Sequence, residues 1–131
     1  MLLTIHAKYS LPRLKLPTGR EITLYDALKL CYDINETDTI ILIELMKLGE
    51  QDVDGLAKRL NFSKATVNRS LNKLVNLGFI KRRKEHRLTV GRPRFKYFID
   101  DKSKTLNLII TGLKNCVSIL EKRVEVLIPR I

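Results

Sequence analysis

Between Ser63 and Lys73 the chain places several side chains that can donate and accept hydrogen bonds in fixed geometries: Thr66, Asn68, Arg69, Asn72 and Lys73, led in by Ser63, Lys64 and Ala65. An Asn amide offers a donor and an acceptor side by side, which suits the exposed edge of an adenine. An Arg guanidinium offers two parallel donors, which suits a guanine. The apolar residues Val67, Leu71, Leu74 and Val75 recur at offsets 0, 4, 7 and 8, so a helix over 64–77 would bury them together. Its opposite face would then show Ala65, Arg69, Asn72 and Asn76, flanked by Thr66, Asn68 and Lys73. Ser63 is the type of residue that caps a helix start, and the N–H groups freed there suit a phosphate. A reading helix uses mainly its N-terminal half on base edges. Thr66, Asn68 and Arg69 are therefore expected near bases, with Asn72 and Lys73 nearer the nucleic-acid backbone.

A polar helix face can also be simply solvated. The next twenty residues argue otherwise. After Gly78 the hydrophobic period drops from 3.6 toward 2, and Phe79-Ile80-Lys81-Arg82-Arg83 reads as a strand. Residues 84–91 read as a polar loop, and 92–99 alternate into a returning strand with Phe95, Tyr97 and Ile99 on one face. This hairpin, 79–99, carries Arg82, Arg83, Lys84, Arg87, Arg92 and Arg94. Arg92-Pro93-Arg94 suits a narrow minor groove, where negative potential concentrates on an inserted arginine. His86, near the tip, is expected to be exposed and idle.

Charge supports the same division. The 39 residues from Lys58 to Lys96 hold thirteen basic residues and one acidic residue, a net +12, while the remainder holds twelve basic and thirteen acidic, a net −1, together the chain's +11. One segment thus owns the whole excess, which is the footprint of a polyanion partner.

The elements that must position these residues are legible upstream. Leu14-Lys15-Leu16, a Pro17-Thr18-Gly19-Arg20 turn and Glu21-Ile22 suggest a short hairpin after a partly ordered arm. A helix is expected from near Thr23 to about Asp33, with Thr23 and Asp26 at capping-box spacing. Asn35-Glu36-Thr37-Asp38 opens a second helix, apolar nearly all round and so the buried centre, which Gly49 stops in the left-handed conformation. Val53, Leu56, Ala57 and Leu60 define a short amphipathic helix behind an Asp52 cap. Asn61-Phe62-Ser63 then breaks the chain before the helix over 64–77. Two helices joined by a three-residue capped turn form a helix-turn-helix, and with the basic hairpin a winged one.

The last segment is helical again. Leu106, Ile110, Leu113, Val117, Leu120, Val124 and Leu127 follow alternating spacings of 4 and 3, an unbroken heptad seam expected to pair two copies of the chain. Leu108, Ile109, Ile119 and Val126 widen the stripe, so part of it is expected to pack within the chain.

The stretch from Val53 to Leu71 and the following Leu77-Gly78-Phe79-Ile80 resemble archaeal winged helix-turn-helix regulators of the MarR/TrmB type. The lead-in from Leu16 to Asp26 and Gly91-Arg92-Pro93 are similar to the small Lrs-like group among them. The resemblance covers residues 14–128. It implies a homodimer held by its C-terminal helices that regulates transcription.

The fold class expected is mainly α with a small β-hairpin wing (α+β), divided into an N-terminal arm and hairpin (1–22), a winged helix-turn-helix (23–100) and a C-terminal dimerisation helix (101–131). The function expected is sequence-specific binding of double-stranded DNA by a homodimer, with 64–77 in the major groove and 79–99 on the backbone or minor groove. An architectural DNA-binding protein of low specificity is the alternative, and a protein-interaction module in a larger complex is a third. No enzyme is expected, since no Gly-rich phosphate loop, paired carboxylates or nucleophile arrangement is present. Cys31 and Cys116 stand far apart outside any C-x-x-C or Cys/His cluster, so neither a disulfide nor a metal is expected and both read as buried thiols. No cofactor is expected. No apolar run reaches the ~20 residues of a membrane span and no signal peptide is evident, which suggests a cytoplasmic, nucleoid-associated protein.

Overall fold

The structure is a computed structural model and describes residues 13–85 and 94–128. Residues 1–12 of the N-terminal arm expected over 1–13, together with His86, Arg87, Arg92 and Pro93, lie outside the described residues. A short antiparallel hairpin pairs β1 (Leu14–Lys15) with β2 (Glu21–Ile22) around Gly19, whose φ of 87° is open to glycine without strain. Helix α1 (Leu24–Tyr32) follows, its start fixed by the Asp26 carboxylate accepting from the Thr23 N–H at 2.8 Å. Helix α2 (Glu36–Leu48) opens on a reciprocal box: Asn35 Oδ1 accepts from the Asp38 N–H at 2.8 Å, and Asp38 Oδ2 accepts from the Asn35 N–H at 3.0 Å.

As its composition requires, α2 is the centre of the core, with Ile40, Ile41, Leu42 and Leu45 buried. Gly49 does end it with positive φ (81°), but its ψ of −149° is not the left-handed helical conformation expected. Helix α3 (Val53–Leu60) buries Leu56, Ala57 and Leu60, and its Asp52 cap accepts from the Gly55 N–H at 2.7 Å. Asn61 makes the turn in the left-handed region (φ 59°, ψ 41°), which Asn tolerates better than most residues. Helix α4 (Lys64–Asn76) then packs across α2 and α3, burying Val67, Ser70, Leu71 and Leu74.

The wing pairs β3 (Lys81–Glu85) with β4 (Arg94–Phe98) in a five-residue antiparallel register, from Lys81↔Phe98 to Glu85↔Arg94. Lys84, expected in the loop, is inside β3; Phe79 and Ile80, expected in the strand, precede it as buried core residues. Gln51 bridges Tyr97 with two backbone hydrogen bonds of 3.0 and 2.8 Å, so the wing is tied to the chain just before α3.

Helix α5 (Lys102–Leu127), with Asp101 capping the Lys104 N–H at 3.1 Å, is 26 residues long, about 39 Å at 1.5 Å per residue. It docks on α1 through a contact that only glycine permits. The Tyr32 hydroxyl donates to the Ile109 carbonyl at 2.8 Å, and a Cβ on Gly112 would fall 1.7 Å from that hydroxyl oxygen. Tyr32 also meets Phe79 edge-on, ring centroids 5.0 Å apart. The expectation of two separate buried thiols is corrected here: Cys31 and Cys116 form a disulfide joining α1 to α5, with Cα atoms 5.7 Å apart. The two are 85 residues apart in sequence, and only the docking of α5 on α1 brings them together.

Candidate nucleic-acid interface

Helix α4 is held by a buried polar brace. Asp38 is 2% exposed, and on it converge the Ser70 hydroxyl, the Lys73 ammonium at 3.1 Å and its own helix cap. Lys73 also donates to the Asp33 carbonyl at 3.1 Å. A buried carboxylate is stable only when so surrounded. The brace pins the middle of α4 to the start of α2, and it turns the Lys73 charge inward, toward the protein.

At the N-terminus of α4, the Ser63 hydroxyl oxygen accepts from the Thr66 N–H at 3.1 Å and donates to the Thr66 hydroxyl at 2.8 Å. Thr66 is thereby half-buried, while Ser63, Lys64, Ala65, Asn68, Arg69 and Asn72 are exposed. Among the described residues no ion pair is recorded for Arg69, Arg82 or Lys84. The Arg82 guanidinium lies over the Phe95 ring, 4.6 Å from its centroid, a cation–π contact that leaves its charge without a carboxylate among the described residues.

Five other cations of the surface have carboxylate partners. Lys64 pairs with Asp54 at 3.2 Å, Arg94 with Asp54 at 3.5 Å and Lys96 with Asp52 at 3.6 Å. Arg83 grips Glu50 with two bonds, Nε donating at 2.9 Å, and Lys81 pairs with Asp100. The Asp52 carboxyl is held below the ordinary aspartate range, first by the Gly55 N–H and then by Lys96 and Arg94. Arg83 lowers Glu50, and Lys81 lowers Asp100, in the same way. The basic wing is thus fixed to α3 by its own counter-charges, with a groove between them lined by Asp52, Asp54, Asn68, Arg94 and Phe95.

Of the residues singled out from the sequence, Ser63, Lys64, Ala65, Thr66, Asn68, Arg69 and Asn72 gather on one end and face of α4, Asn68 shares a groove with Arg94 of the wing, and Arg82 and Lys84 lie on β3. Lys73 is turned toward Asp38 and Arg83 toward Glu50. Asp38, Ser70, Glu50, Asp52 and Asp54 were not anticipated in these roles. Their partners lie 10 to 44 positions away in sequence, beyond any local spacing.

On α5, Leu106, Ile110, Val117, Leu120, Val124 and Leu127 are all more than 40% exposed, whereas Leu113 packs on the core with Ile109. Among the described residues no helix is long and apolar enough to cross a membrane, and no cluster of His, Cys, Asp and Glu suited to a metal occurs.

Residues 28–100 match the model of a family described as sugar-specific transcriptional regulator TrmB. The fold is similar to that of a Methanosarcina mazei protein described as a possible transcriptional regulator, with TM-score 0.74 and 21% identity over 87% of this chain and 95% of that one. It is also similar to the ST1889 protein of the thermoacidophilic archaeon Sulfolobus tokodaii, 30% identical with TM-score 0.63 over 76% of this chain and 92% of that one. In sequence, 72 residues are 29% identical to the uncharacterized protein MJ1503 of Methanocaldococcus jannaschii, 54% of each chain. The chain thus spans about half the length of the curated relatives it matches.

Proposed function

The chain belongs to the TrmB family of transcriptional regulators, and from that premise we propose that it is a sequence-specific DNA-binding regulator acting as a homodimer. Helix α4 enters the major groove, and the wing lies on the backbone and minor groove. The observation that carries this is the uncovered end of α4: Ala65, Asn68, Arg69 and Asn72 are exposed, and among the described residues neither Arg69 nor the wing's Arg82 and Lys84 has a carboxylate partner. Asn68 and Arg69 supply the base-reading chemistry, and Ser63 and Lys64 at the helix start meet phosphate.

Dimerisation is supported by the seam on α5, a 26-residue helix whose distal residues 117–128 are all exposed. An apolar cleft of about 480 Å³, lined by Leu16, Ile22, Leu30, Leu113, Val117 and Leu120, runs beside that seam. Two copies related by a two-fold axis would place their α4 helices in successive major grooves, half-sites about one helical turn apart.

Gel-shift titrations across salt concentrations test the reading. Affinity should fall steeply with salt, with a log–log slope of about −0.9 per phosphate contacted. Arg69→Ala should relax base preference at one position by about 1–3 kcal/mol, whereas Arg82→Ala should weaken all duplexes alike and shallow the slope by about one. A flat salt response contradicts the polyanion interface, and unchanged base preference in Arg69→Ala contradicts the assigned face.

A further inference from the structure

We propose that the Cys31–Cys116 disulfide is a reversible redox switch that fixes the rotation of α5 on the winged helix and thereby sets how two copies present α4 to DNA. It rests on the dimeric DNA-binding reading above.

The bond occupies a particular place on α5. The edge of the helix held by its own chain runs through Thr105, Ile109, Gly112 and Cys116: the Thr105 hydroxyl reaches the Phe79 carbonyl at 3.4 Å, Tyr32 holds Ile109 at 2.8 Å and rests on Gly112, and Cys116 is bonded to Cys31. Each position lies one residue before a member of the heptad seam, Leu106, Ile110, Leu113 and Val117, of which all but Leu113 are uncovered. The held edge and the seam are therefore about 100° apart around the helix. Whatever fixes the first fixes where the second points.

Of these anchors Cys116 is also the last along the helix. Every residue from 117 to 128 is exposed, so the distal half of α5, with Val117, Leu120, Val124 and Leu127, takes its direction from the anchors behind it. The remaining anchors are the hydrogen bonds at Thr105 and Ile109, the glycine contact and the packing of Ile109 and Leu113, all at or before residue 113. Removing the covalent anchor frees the seam to swing and rotate.

The bond is open to a reagent. Both cysteines are only half-buried and face a shallow pocket of about 210 Å³ lined also by Gly112, Asn115, Ile119 and Leu120. A protein that works on DNA shares its compartment with a thiol pool that poises exposed disulfides. A small dithiol supplies two electrons and two protons. Its thiolate attacks one sulfur, forming a mixed disulfide and releasing the other cysteine as a thiol. Its second thiol then displaces the first cysteine, leaving two protein thiols and the reductant as a cyclic disulfide. An oxidised dithiol reverses both steps.

The test uses the full oxidised chain, dithiothreitol as the dithiol, a duplex selected by that chain from a random pool, and an unselected duplex. Sedimentation should first give a dimer. Dithiothreitol should then open the bond without denaturant and leave the far-ultraviolet circular dichroism unchanged. Affinity for the selected duplex should fall about tenfold or more, because two sites no longer engage together, while affinity for the unselected duplex stays within about twofold. Reoxidation should restore binding, and Cys116→Ser should bind like the reduced chain and ignore dithiothreitol. A bond that opens only in denaturant, or whose opening melts the helices, overturns the switch and makes the disulfide a structural staple. So does a dimer that binds the selected duplex equally in both states. An oxidised chain that sediments as a monomer instead overturns the dimeric reading, and the switch with it.

Discussion

On the proposed DNA-binding reading, phosphates arriving at this surface must compete with carboxylates already there. Asp54 faces Lys64 at 3.2 Å and Arg94 at 3.5 Å, and Asp52 faces Lys96 at 3.6 Å. These pairs are partly or well exposed and so contribute little to stability, but they set which cations DNA finds unpaired. Asp54→Asn releases two cations at once and should raise affinity for arbitrary duplexes about threefold to tenfold while steepening the salt slope. Fluorescence anisotropy at several salt concentrations reads both. Unchanged affinity and slope would mean that Lys64 and Arg94 do not touch phosphate. Side-chain chemistry on α4 was legible in the sequence because helical spacing fixes a face. The pairings of Lys64, Arg83 and Arg94 were not, because their partners come from ends of other elements brought near by folding.

Elements with local start and stop signals were legible in the same way. The boxes at Thr23 and Asn35, the caps at Asp52 and Ser63, and the left-handed Asn61 each act within four residues, and each stands where its residue type placed it. The docking of α5 on α1 is different. It depends on Tyr32 finding Gly112 eighty residues away, and no local pattern marks either residue. Glycine within a helix ordinarily costs about 1 kcal/mol relative to alanine, so its place here is explained by the ring it admits. Gly112→Ala should therefore destabilise the chain by about 1–3 kcal/mol, the overpacking cost exceeding the gain in helix propensity. In a Tyr32→Ala background the same change should become stabilising by up to about 1 kcal/mol. Urea unfolding of the four-protein cycle measures the sign change; additive effects would mean that Tyr32 does not hold α5.

At the scale of the whole molecule, a basic segment sits on a nearly neutral body, and a long helix leaves with most of its apolar stripe uncovered. Leu113 packs on its own core and is a poor probe of association. Val117 and Val124, 60% and 55% exposed, are better. Val117→Glu with Val124→Glu should keep the monomer's thermal midpoint, yield a monomer by sedimentation, and cost at least about a hundredfold in affinity for a two-half-site duplex. A wild-type chain that sediments as a monomer at micromolar concentration would contradict the seam's assigned role. The central claim, that α4 reads base sequence, is tested most directly by recovering bound duplexes from a random pool. The outcome predicted is an enriched motif with two-fold symmetry and half-sites about 10–11 base pairs apart, degraded at one position per half-site by Arg69→Ala. A bound pool with no enriched motif, retained only through charge, would contradict it.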